Sequence, residues 1–368
     1  MSVVYTICYF ILWGACYLYW CFNRISLTSL GRTQSQFSGQ AIQVSTGFME
    51  AGTSSKQENY FVPSLYFGFP TKNNITFGVA AVGNNFNSDL DGHSILRYEQ
   101  SNNSIQDIDL VPALGFELNK YISFGASVTY SHAHFLFEPI IGFPSLNIPD
   151  SQSTNKTWSN AWGGDAGVLL KPTKTLLMGF NYRSAIIYSM TGKSIFKGST
   201  LIFSNNYGFN FWTPARSVLS VNYFKTPQLS YIGTLEYIQN SIFKKMTVHN
   251  IATPTGILTT ASIPYNFHDS WLLTLGTNYR ISSKWVIRGA GSYAQAPSNG
   301  QFQIDTGDSF ILGASVGYTI FKNIILDASY AHVFIRNEKI HITSQPNLID
   351  GINKESINTV AGKLTLRA

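Results

Sequence analysis

Several residues have side chains of the types that hydrolytic enzymes use for catalysis. Ser131 and His132 are adjacent, His134 follows, and Asp150 and Asp165 lie downstream. Acyl hydrolysis by serine needs a hydroxyl, an imidazole and an acid within mutual hydrogen-bond reach, which nearness in sequence does not provide. Polar positions at the loop end of a strand explain these residues better. We therefore predict that the chain is not an enzyme and has no catalytic residues.

Metal, cofactor and nucleic-acid chemistry are not indicated either. The seven histidines lack the spacing of zinc ligands, and the three cysteines all lie in the first 21 residues. No glycine-rich loop has the pattern of a phosphate cradle. The formal net charge of +6 is modest and is not concentrated in one cluster. We predict no metal site, no cofactor and no nucleic-acid partner.

Three arginines could bind a carboxylate. Arg183, Arg280 and Arg288 each lie on the polar face of a segment in which apolar and polar residues alternate. A cation inside the fold would suit the head of an amphipathic acid. The alternative role is pairing with Glu236 or Asp327 in the interior, and the sequence leaves both roles open.

Two long segments between predicted strands are unusually apolar. Residues 135–158 and 189–212 carry aliphatic and aromatic side chains that loops in water normally lack. We predict that the two segments lie side by side and form a hydrophobic ligand-binding groove. The alternative is that they pack on each other and only close the structure. The predicted groove residues are Phe135, Phe137, Ile141, Phe143, Phe196, Phe203 and Phe209.

Period-two alternation identifies the elements that must position these residues. Residues 270–335 contain four runs of about ten residues in which apolar side chains alternate with small or polar ones. The apolar faces end in aromatic residues, such as Trp271 and Tyr279, or Trp285 and Tyr293. Aromatic girdles around an apolar band are typical of transmembrane β-barrels. A charged content of only 12% agrees with an exterior that is not all in water.

The connections predict the topology. Fourteen candidate strands, from residues 41–50 to residues 358–366, are joined by short polar turns and long segments in strict alternation. Bacterial outer-membrane barrels have short periplasmic turns and long outer loops. We therefore predict an all-β fold, a 14-stranded antiparallel transmembrane β-barrel of residues 37–368. We expect a monomer in contact with the lipid of the bacterial outer membrane.

Residues 1–36 are predicted to lie outside the barrel. Residues 3–22 form one apolar run that would be about 30 Å long as a helix. An export signal is the first interpretation, although no Lys or Arg precedes the run and no small-residue cleavage site follows it. An uncleaved anchor and a wrongly chosen start codon are the alternatives. The remainder of residues 1–36 is predicted to be a short linker.

Strand-like segments in a characteristic order resemble the outer-membrane transporters of long-chain fatty acids and hydrocarbons (FadL/TodX type). The resemblance covers roughly residues 38–368 and depends on the order and spacing of the segments. They are RY at 97–98, IDLVPALGF at 108–116, LNKYISFGA at 118–126, GFNYRS at 179–184, LEY at 235–237, DSW at 269–271, LGTNYR at 275–280, KWVIRG at 284–289 and LDASYA at 326–331.

The resemblance implies a barrel with an N-terminal hatch that passes hydrophobic molecules across the membrane. Ligand would enter between the third and fourth outer loops, which are the two apolar segments above. It would leave through the wall at a break in the third strand. The hatch is not recognisable here, and residues 29–41 are a possible remnant. Gly78, Gly83 and Asn84 are predicted to interrupt the strand ladder between residues 78 and 87, because such residues tolerate unusual backbone angles. The alternative is that Gly83 and Asn84 begin the second outer loop.

The predicted function is passive uptake of long-chain fatty acids or other hydrophobic compounds. A general porin-like barrel with a water-filled lumen is the alternative, and the apolar outer segments favour the transporter. The sequence does not distinguish a fatty acid from an aromatic hydrocarbon, since both would suit an apolar groove.

Overall fold

The structure is a computed structural model that describes residues 23–71, 74–100, 102–343 and 347–367. These residues form twenty strands, numbered in chain order, in one sheet. Fourteen of the strands form the wall of a closed barrel. They are β1 (Asn23–Gln43), β2 (Phe48–Pro70), β3 (Ile75–Leu90), β4 (Asn102–Asn119), β5 (Ile122–Glu138), β7 (Ile148–Thr173), β8 (Leu176–Arg183), β11 (Arg216–Phe224), β12 (Leu229–Ile238), β15 (Ser270–Arg280), β16 (Trp285–Ala294), β17 (Ser309–Phe321), β18 (Ile324–Ile335) and β20 (Asn347–Arg367).

Six shorter strands extend the sheet at one end of the barrel. They are β6 (Ile140–Phe143), β9 (Ile186–Lys197), β10 (Leu201–Thr213), β13 (Lys245–Thr253), β14 (Gly256–Pro264) and β19 (Glu338–Ile342). Two 3-10 turns, Pro144–Leu146 and Asn240–Ile242, lie at the same end. In the described part of the chain, no helix is long and apolar enough to cross a membrane.

Antiparallel pairing of β1 with both β2 and β20 closes the barrel. The seam between β1 and β20 runs without interruption from Asn23 opposite Arg367 to Gln43 opposite Asn347. Closure leaves no unpaired strand edge in the wall, as a membrane-spanning sheet requires. The predicted 14-stranded barrel is thus confirmed.

The start of the barrel differs from the prediction. The expected first strand at residues 41–50 is wrong, because β1 ends at Gln43 and a turn at residues 44–47 leads into β2. Gly47 supplies the left-handed backbone of this turn, with φ of 68°. Residues 23–36, expected to be a linker, and residues 29–41, the possible hatch remnant, form β1. The apolar run at residues 3–22, with the three cysteines, lies outside the described residues.

The two faces of the wall follow the alternation of the sequence. In β15, Trp271, Leu273 and Leu275 point outward and are exposed, whereas Leu272 and Thr274 point inward and are buried. Paired aromatic rings mark both edges of the outward apolar band, for example Tyr237 with Trp271 and Trp285 with Tyr318. This band with two girdles is the exterior of a transmembrane barrel. We call the end with the short turns the inner end and the opposite end the outer end.

Loops fold into one side of the outer mouth. Residues 91–100 bring Leu96 into a buried cluster with Phe37 and Ile349 of the wall. Residues 295–308 add Ile304 to the same cluster. Arg97, from the first of these loops, forms ion pairs with Glu50 and with Asp150, the latter at 2.7 Å. These contacts cover the side of the mouth near β1 and β20.

The opposite side of the mouth is a sheet that continues beyond the apolar band. The upper half of β7 pairs with β5 on one edge and with β9 on the other. The ladder then continues through β10 and β13 to β14. The two apolar segments predicted to be loops are therefore largely strands, and both pair with β7. Their apolar side chains are divided between two faces, because alternate residues of a strand point in opposite directions.

Candidate functional site

An aromatic surface inside the barrel lines a cavity of about 420 Å³ below the outer mouth. It is formed by β5, by the β9–β10 hairpin and by the connection at residues 239–269. Tyrosine, phenylalanine and tryptophan dominate this side of the cavity. The aromatic residues on this side are Phe135, Phe137, Tyr188, Tyr207, Phe209, Phe211, Trp212, Phe243, Tyr265 and Phe267.

Phe211 is at the centre of this aromatic lining. Its ring centroid lies 5.0 Å from that of Phe135 and 5.8 Å from that of Phe243, in edge-to-face geometry. Phe243 in turn lies 4.7 Å from Tyr265 and 5.6 Å from Phe267. Edge-to-face packing fixes the rings and leaves apolar faces available to a bound molecule. The arrangement can hold an apolar or aromatic ligand without needing a hydrogen bond from it.

Three of the seven predicted groove residues line this cavity. Phe135 and Phe137 point inward from β5, and Phe209 points inward from β10. The centroids of Phe135 and Phe209 are 5.9 Å apart, although the two residues are far apart in sequence. The β7–β9–β10 ladder brings them together, which a pattern of apolar residues in two presumed loops could not specify.

The other four predicted groove residues are not among those that line the cavity. Phe203 points outward from β10 and is 46% exposed. Phe196 is buried, and its ring lies against Gly198 at the tip of the β9–β10 hairpin. Ile141 and Phe143 lie in β6, beyond the upper end of β5. The groove predicted from seven residues therefore corresponds, in the structure, to a cavity that only three of those residues line.

Sequence reasoning missed the part of the cavity that comes from residues 239–269. Phe243, Met246, Tyr265 and Phe267 all line it. The pair of aromatic residues at 265 and 267 is a weak signal within a long segment of mixed polarity.

Burial, with a smaller contribution from Glu99, raises the pKa of Tyr265 to about 12, so its hydroxyl is neutral at physiological pH.

Two arginines lie between the aromatic cavity and a second cavity of about 160 Å³ deeper in the lumen. Arg183 and Arg216 line both cavities. Arg183 donates from Nη2 to Asp109 Oδ2 at 3.2 Å, and Arg216 donates from Nη1 to Glu236 Oε1 at 3.1 Å. Each guanidinium at this junction therefore faces a carboxylate, and Asp165 adds a further carboxylate near Arg183, so the passage between the cavities has no excess positive charge.

The deeper cavity contains a cluster of three charged groups. Arg288 donates from Nη1 to Asp327 Oδ1 at 2.7 Å, and Lys363 donates from Nζ to Asp327 Oδ2 at 3.2 Å. One carboxylate thus serves two cations, which leaves a local charge of +1. Small residues such as Gly276 and Ala290 complete much of the remaining lining.

The three arginines proposed as luminal ligands therefore differ in position. Arg183 and Arg288 line the lumen and are paired, as the alternative role required, although Arg183 pairs with Asp109 and not with Glu236. Arg280 ends β15 at the inner end of the barrel, where its backbone N–H donates to the carbonyl of Gln228. Arg280 is not among the residues that line either cavity.

The candidate hydrolase residues do not form a catalytic arrangement. Ser131 points inward and its hydroxyl hydrogen-bonds with that of Tyr188 at 2.8 Å. His132 points outward, and its Nδ1 lies 2.7 Å from Asn160 Oδ1. Adjacent strand residues on opposite faces cannot act on one substrate. Among the described residues, no group of three or more His, Cys, Asp or Glu could hold a metal ion.

The β2–β3 ladder is interrupted at the height predicted for the third strand. Within these described strands, register pairs occur on both sides of Val62 and Pro63 but not at these two residues, which face Asn84 and Gly83. Pro63 has no N–H to donate, so it cannot complete the ladder. The pairing of β3 with β4 is continuous, and Gly78 is regularly paired on both sides. The interruption is therefore confined to one side of β3.

Comparisons with known proteins agree with this architecture. A family model described as outer membrane protein transport protein (OMPP1/FadL/TodX) matches residues 28–365. A Pseudomonas aeruginosa FadL homologue has a similar structure, with a TM-score of 0.83 at 17% identity, covering 94% of this chain and 90% of that one. The toluene transporter TbuX of Ralstonia pickettii has a TM-score of 0.63 at 18% identity, covering 93% and 89%.

The toluene transporter TodX of Pseudomonas putida is also similar, with a TM-score of 0.65 at 13% identity, covering 94% of this chain and 89% of that one. At these identities the structural similarity establishes the fold alone. No curated protein matches the chain in sequence.

Proposed function

Because the chain belongs to the outer membrane protein transport family (OMPP1/FadL/TodX), we propose that it admits hydrophobic molecules passively and binds them first in the aromatic cavity. The observation that carries the proposal is the connection of this cavity to the lumen. Its aromatic residues lead directly to Arg183 and Arg216, which also line the deeper cavity. Transfer of an apolar ligand from water into such a lining is favourable by about 0.8 kcal/mol per buried CH₂.

We propose that uncharged molecules are the preferred ligands. Arg183 and Arg216 are each neutralised by a carboxylate at the junction, so an anionic head gains little from either. An uncharged aromatic or aliphatic molecule crosses this point without displacing an ion pair. Two of the proteins with similar structures are toluene transporters, in agreement with this chemistry.

A long-chain fatty acid is the second candidate. It is supported by the charge cluster in the deeper cavity, where Arg288 and Lys363 share Asp327 and leave one excess positive charge. A carboxylate head could approach these two cations while its alkyl chain occupies the apolar part of the cavity. A general porin is less favoured, because a water-filled lumen would not be lined by so many aromatic side chains.

The proposed exit is lateral, at the interrupted β2–β3 ladder. A hydrophobic molecule that continued through water to the periplasm would lose the free energy gained on leaving water. A passage through the wall beside Pro63, Gly83 and Asn84 would deliver it to lipid instead. The ring of Pro63 lies close to Gly83, since a Cβ built on Gly83 would be 3.2 Å from Pro63 Cγ. Opening thus requires Pro63 to move away from β3.

Uptake by cells tests the proposal. Cells that lack the protein would be complemented with wild-type protein, with a Phe211→Ser/Phe243→Ser variant, or with Phe203→Ser as the matched control. Phe203 is outward-facing, so its replacement removes an aromatic ring away from the cavity. We expect the double variant to slow uptake of radiolabelled toluene and hexadecane, whereas the control does not. Equal uptake by correctly assembled wild-type and double-variant protein would contradict the aromatic site.

A further inference from the structure

Two lysines on the outer surface of the extended sheet lie directly opposite each other. Lys156 of β7 and Lys193 of β9 are register partners in an antiparallel ladder, and both side chains are exposed. Directly opposite residues have Cβ atoms about 4.5–5.5 Å apart, and like charges at such positions destabilise a sheet. An anion bound between the two ammonium groups would remove this repulsion.

The protein itself does not supply that counter-charge. Among the described residues, no carboxylate lies within the 4.0 Å ion-pair distance of either amine. Lys197 adds a third cation on the same face of β9. The acid on this face, Glu138, accepts a hydrogen bond from the Thr154 hydroxyl at 3.3 Å, further from the membrane. The surface therefore has a net positive charge.

The backbone under the lysines is closely packed. Gly192 precedes Lys193, and a Cβ built on it would lie 1.9 Å from the carbonyl oxygen of Lys156. Only glycine allows β7 and β9 to approach this closely. The two lysine stems therefore start from a fixed spacing that lets both ammonium groups reach one anion.

The height of the pair above the membrane identifies the kind of anion. Tyr130 and Trp162, whose centroids are 5.0 Å apart, belong to the outer aromatic girdle. Lys156 is six residues beyond Trp162 along β7, which for a tilted strand is roughly 15 Å above the girdle. Trp158 lies between them on the same face and is 48% exposed. This is the level of the sugars and phosphates of outer-leaflet glycolipids, and not of the acyl chains.

We propose that Lys156 and Lys193, with Trp158 beside them, bind the phosphorylated headgroup of an outer-leaflet glycolipid. A phosphate carries about −1.5 to −2 charges and three acceptor oxygens, enough to serve two ammonium groups at once. The indole of Trp158 provides an apolar surface for a neighbouring sugar ring. The site is on the outside of the barrel and is separate from the transport cavities.

Binding of purified lipid A to the intact protein in neutral detergent tests the proposal. The variants are Lys156→Ser/Lys193→Ser and, as a charge-matched control, Lys174→Ser/Lys225→Ser in two exposed turns at the inner end. Native mass spectrometry would measure binding of diphosphorylated lipid A, of the same lipid after dephosphorylation, and of inorganic phosphate alone. The electrophoretic mobility of the unheated protein would confirm that each variant is a folded barrel.

We expect diphosphorylated lipid A to bind the Lys156/Lys193 variant roughly 30-fold more weakly than wild type, or about fivefold per lysine. The control variant should bind like wild type, and dephosphorylated lipid A should bind weakly to all three proteins. Equal binding of lipid A by wild type and by the Lys156/Lys193 variant would overturn the proposal. So would equal binding of the two lipid forms, or binding of inorganic phosphate as tight as that of lipid A, which would indicate a phosphate site and not a lipid site.

Discussion

Replacing Asp327 with asparagine should convert the deeper cavity into a carboxylate-binding site. Asp327 bridges Arg288 at 2.7 Å and Lys363 at 3.2 Å, and its side chain is only 7% exposed. Asparagine preserves the shape of the side chain and an acceptor oxygen but removes the negative charge. The local charge of the cluster then rises from +1 to +2 without a change in the size of the cavity.

The expected magnitude follows from Coulomb's law. At about 4 Å and an effective dielectric constant of about 20, the charge of Asp327 opposes a ligand carboxylate by about 4 kcal/mol. Arg288 is 30% exposed to the lumen, so solvent screens a large part of this repulsion. A net gain of about 1–2 kcal/mol remains, which corresponds to roughly 5–30-fold tighter binding of a carboxylate. Removing the charge of Asp327 should lower the stability of the barrel by about 3–5 kcal/mol, because it leaves the buried Lys363 without its carboxylate partner.

Calorimetric titration with two ligands of equal chain length measures the effect. Hexadecanoate should bind Asp327→Asn more tightly than wild type, whereas the affinity for hexadecanol should change less than about twofold. Asp350→Asn is the control, because it removes the same charge from an exposed position at the outer end. An equal change for both ligands, or an unchanged affinity for hexadecanoate in a folded variant, would refute the charge argument.

Three further predictions concern the aromatic cavity, the wall and the loops. Phe211→Ala/Phe243→Ala should weaken binding of a neutral aromatic probe roughly 5–150-fold, because each of the two lost ring contacts contributes about 0.5–1.5 kcal/mol; fluorescence titration of the purified barrel measures this. A disulfide between Val62→Cys and Asn84→Cys should block delivery of ligand to lipid vesicles but not binding to the aromatic cavity, and reduction should restore delivery. Burial raises the pKa of Glu99 to about 7 from its ordinary 4.5, so the folded loop binds the proton more tightly than the unfolded chain. Loop stability should therefore fall as pH rises from about 4.5 to 7, and Glu99→Gln should remove this decrease in protease-protection assays at pH 5 and pH 8.

The strands at the C-terminal end of the sequence were predictable because their two faces differ clearly. The predicted strand at residues 285–294 coincides with β16, since Trp285, Ile287 and Tyr293 alternate with Arg288 and Ser292. In the described part of the chain, short turns also lie where proline, asparagine, serine and lysine cluster in the sequence. Such local signals are sufficient for the wall, because each transmembrane strand must present an apolar face to lipid.

β1 could not be recognised in the same way. Its outward residues include Ser26, Thr28 and Gln34, and the apolar Leu27 and Phe37 point inward. A period-two pattern of apolar residues on the outer face is therefore absent, and the strand is specified by its two neighbours. The same limitation applies to β2, whose upper part at residues 51–59 is polar and shows no alternation of apolar residues.

The candidate site was predictable in composition but not in arrangement. The apolar character of their segments identifies Phe135 and Phe209, and pairing with Glu236 or Asp327 is one of the two roles that the sequence leaves open for Arg288. Arg216 was not singled out, although it shares the junction with Arg183. Its role depends on the register of three strands that are distant in sequence. Long-range register of this kind leaves no local pattern in the sequence.

The seam between β1 and β20 has a consequence for how the protein is made. About 300 residues separate the two strands, so their pairing has the greatest sequence separation of any contact in the wall. Closing a loop of this length costs the most entropy, and we expect closure of the ring to be a late step of folding. Until the ring closes, the free edge of β1 is open to pairing with any other chain. The small number of apolar residues in β1 and the charge of Arg32 lower the tendency of that edge to aggregate, and the polarity that hides β1 from sequence analysis therefore protects it during folding.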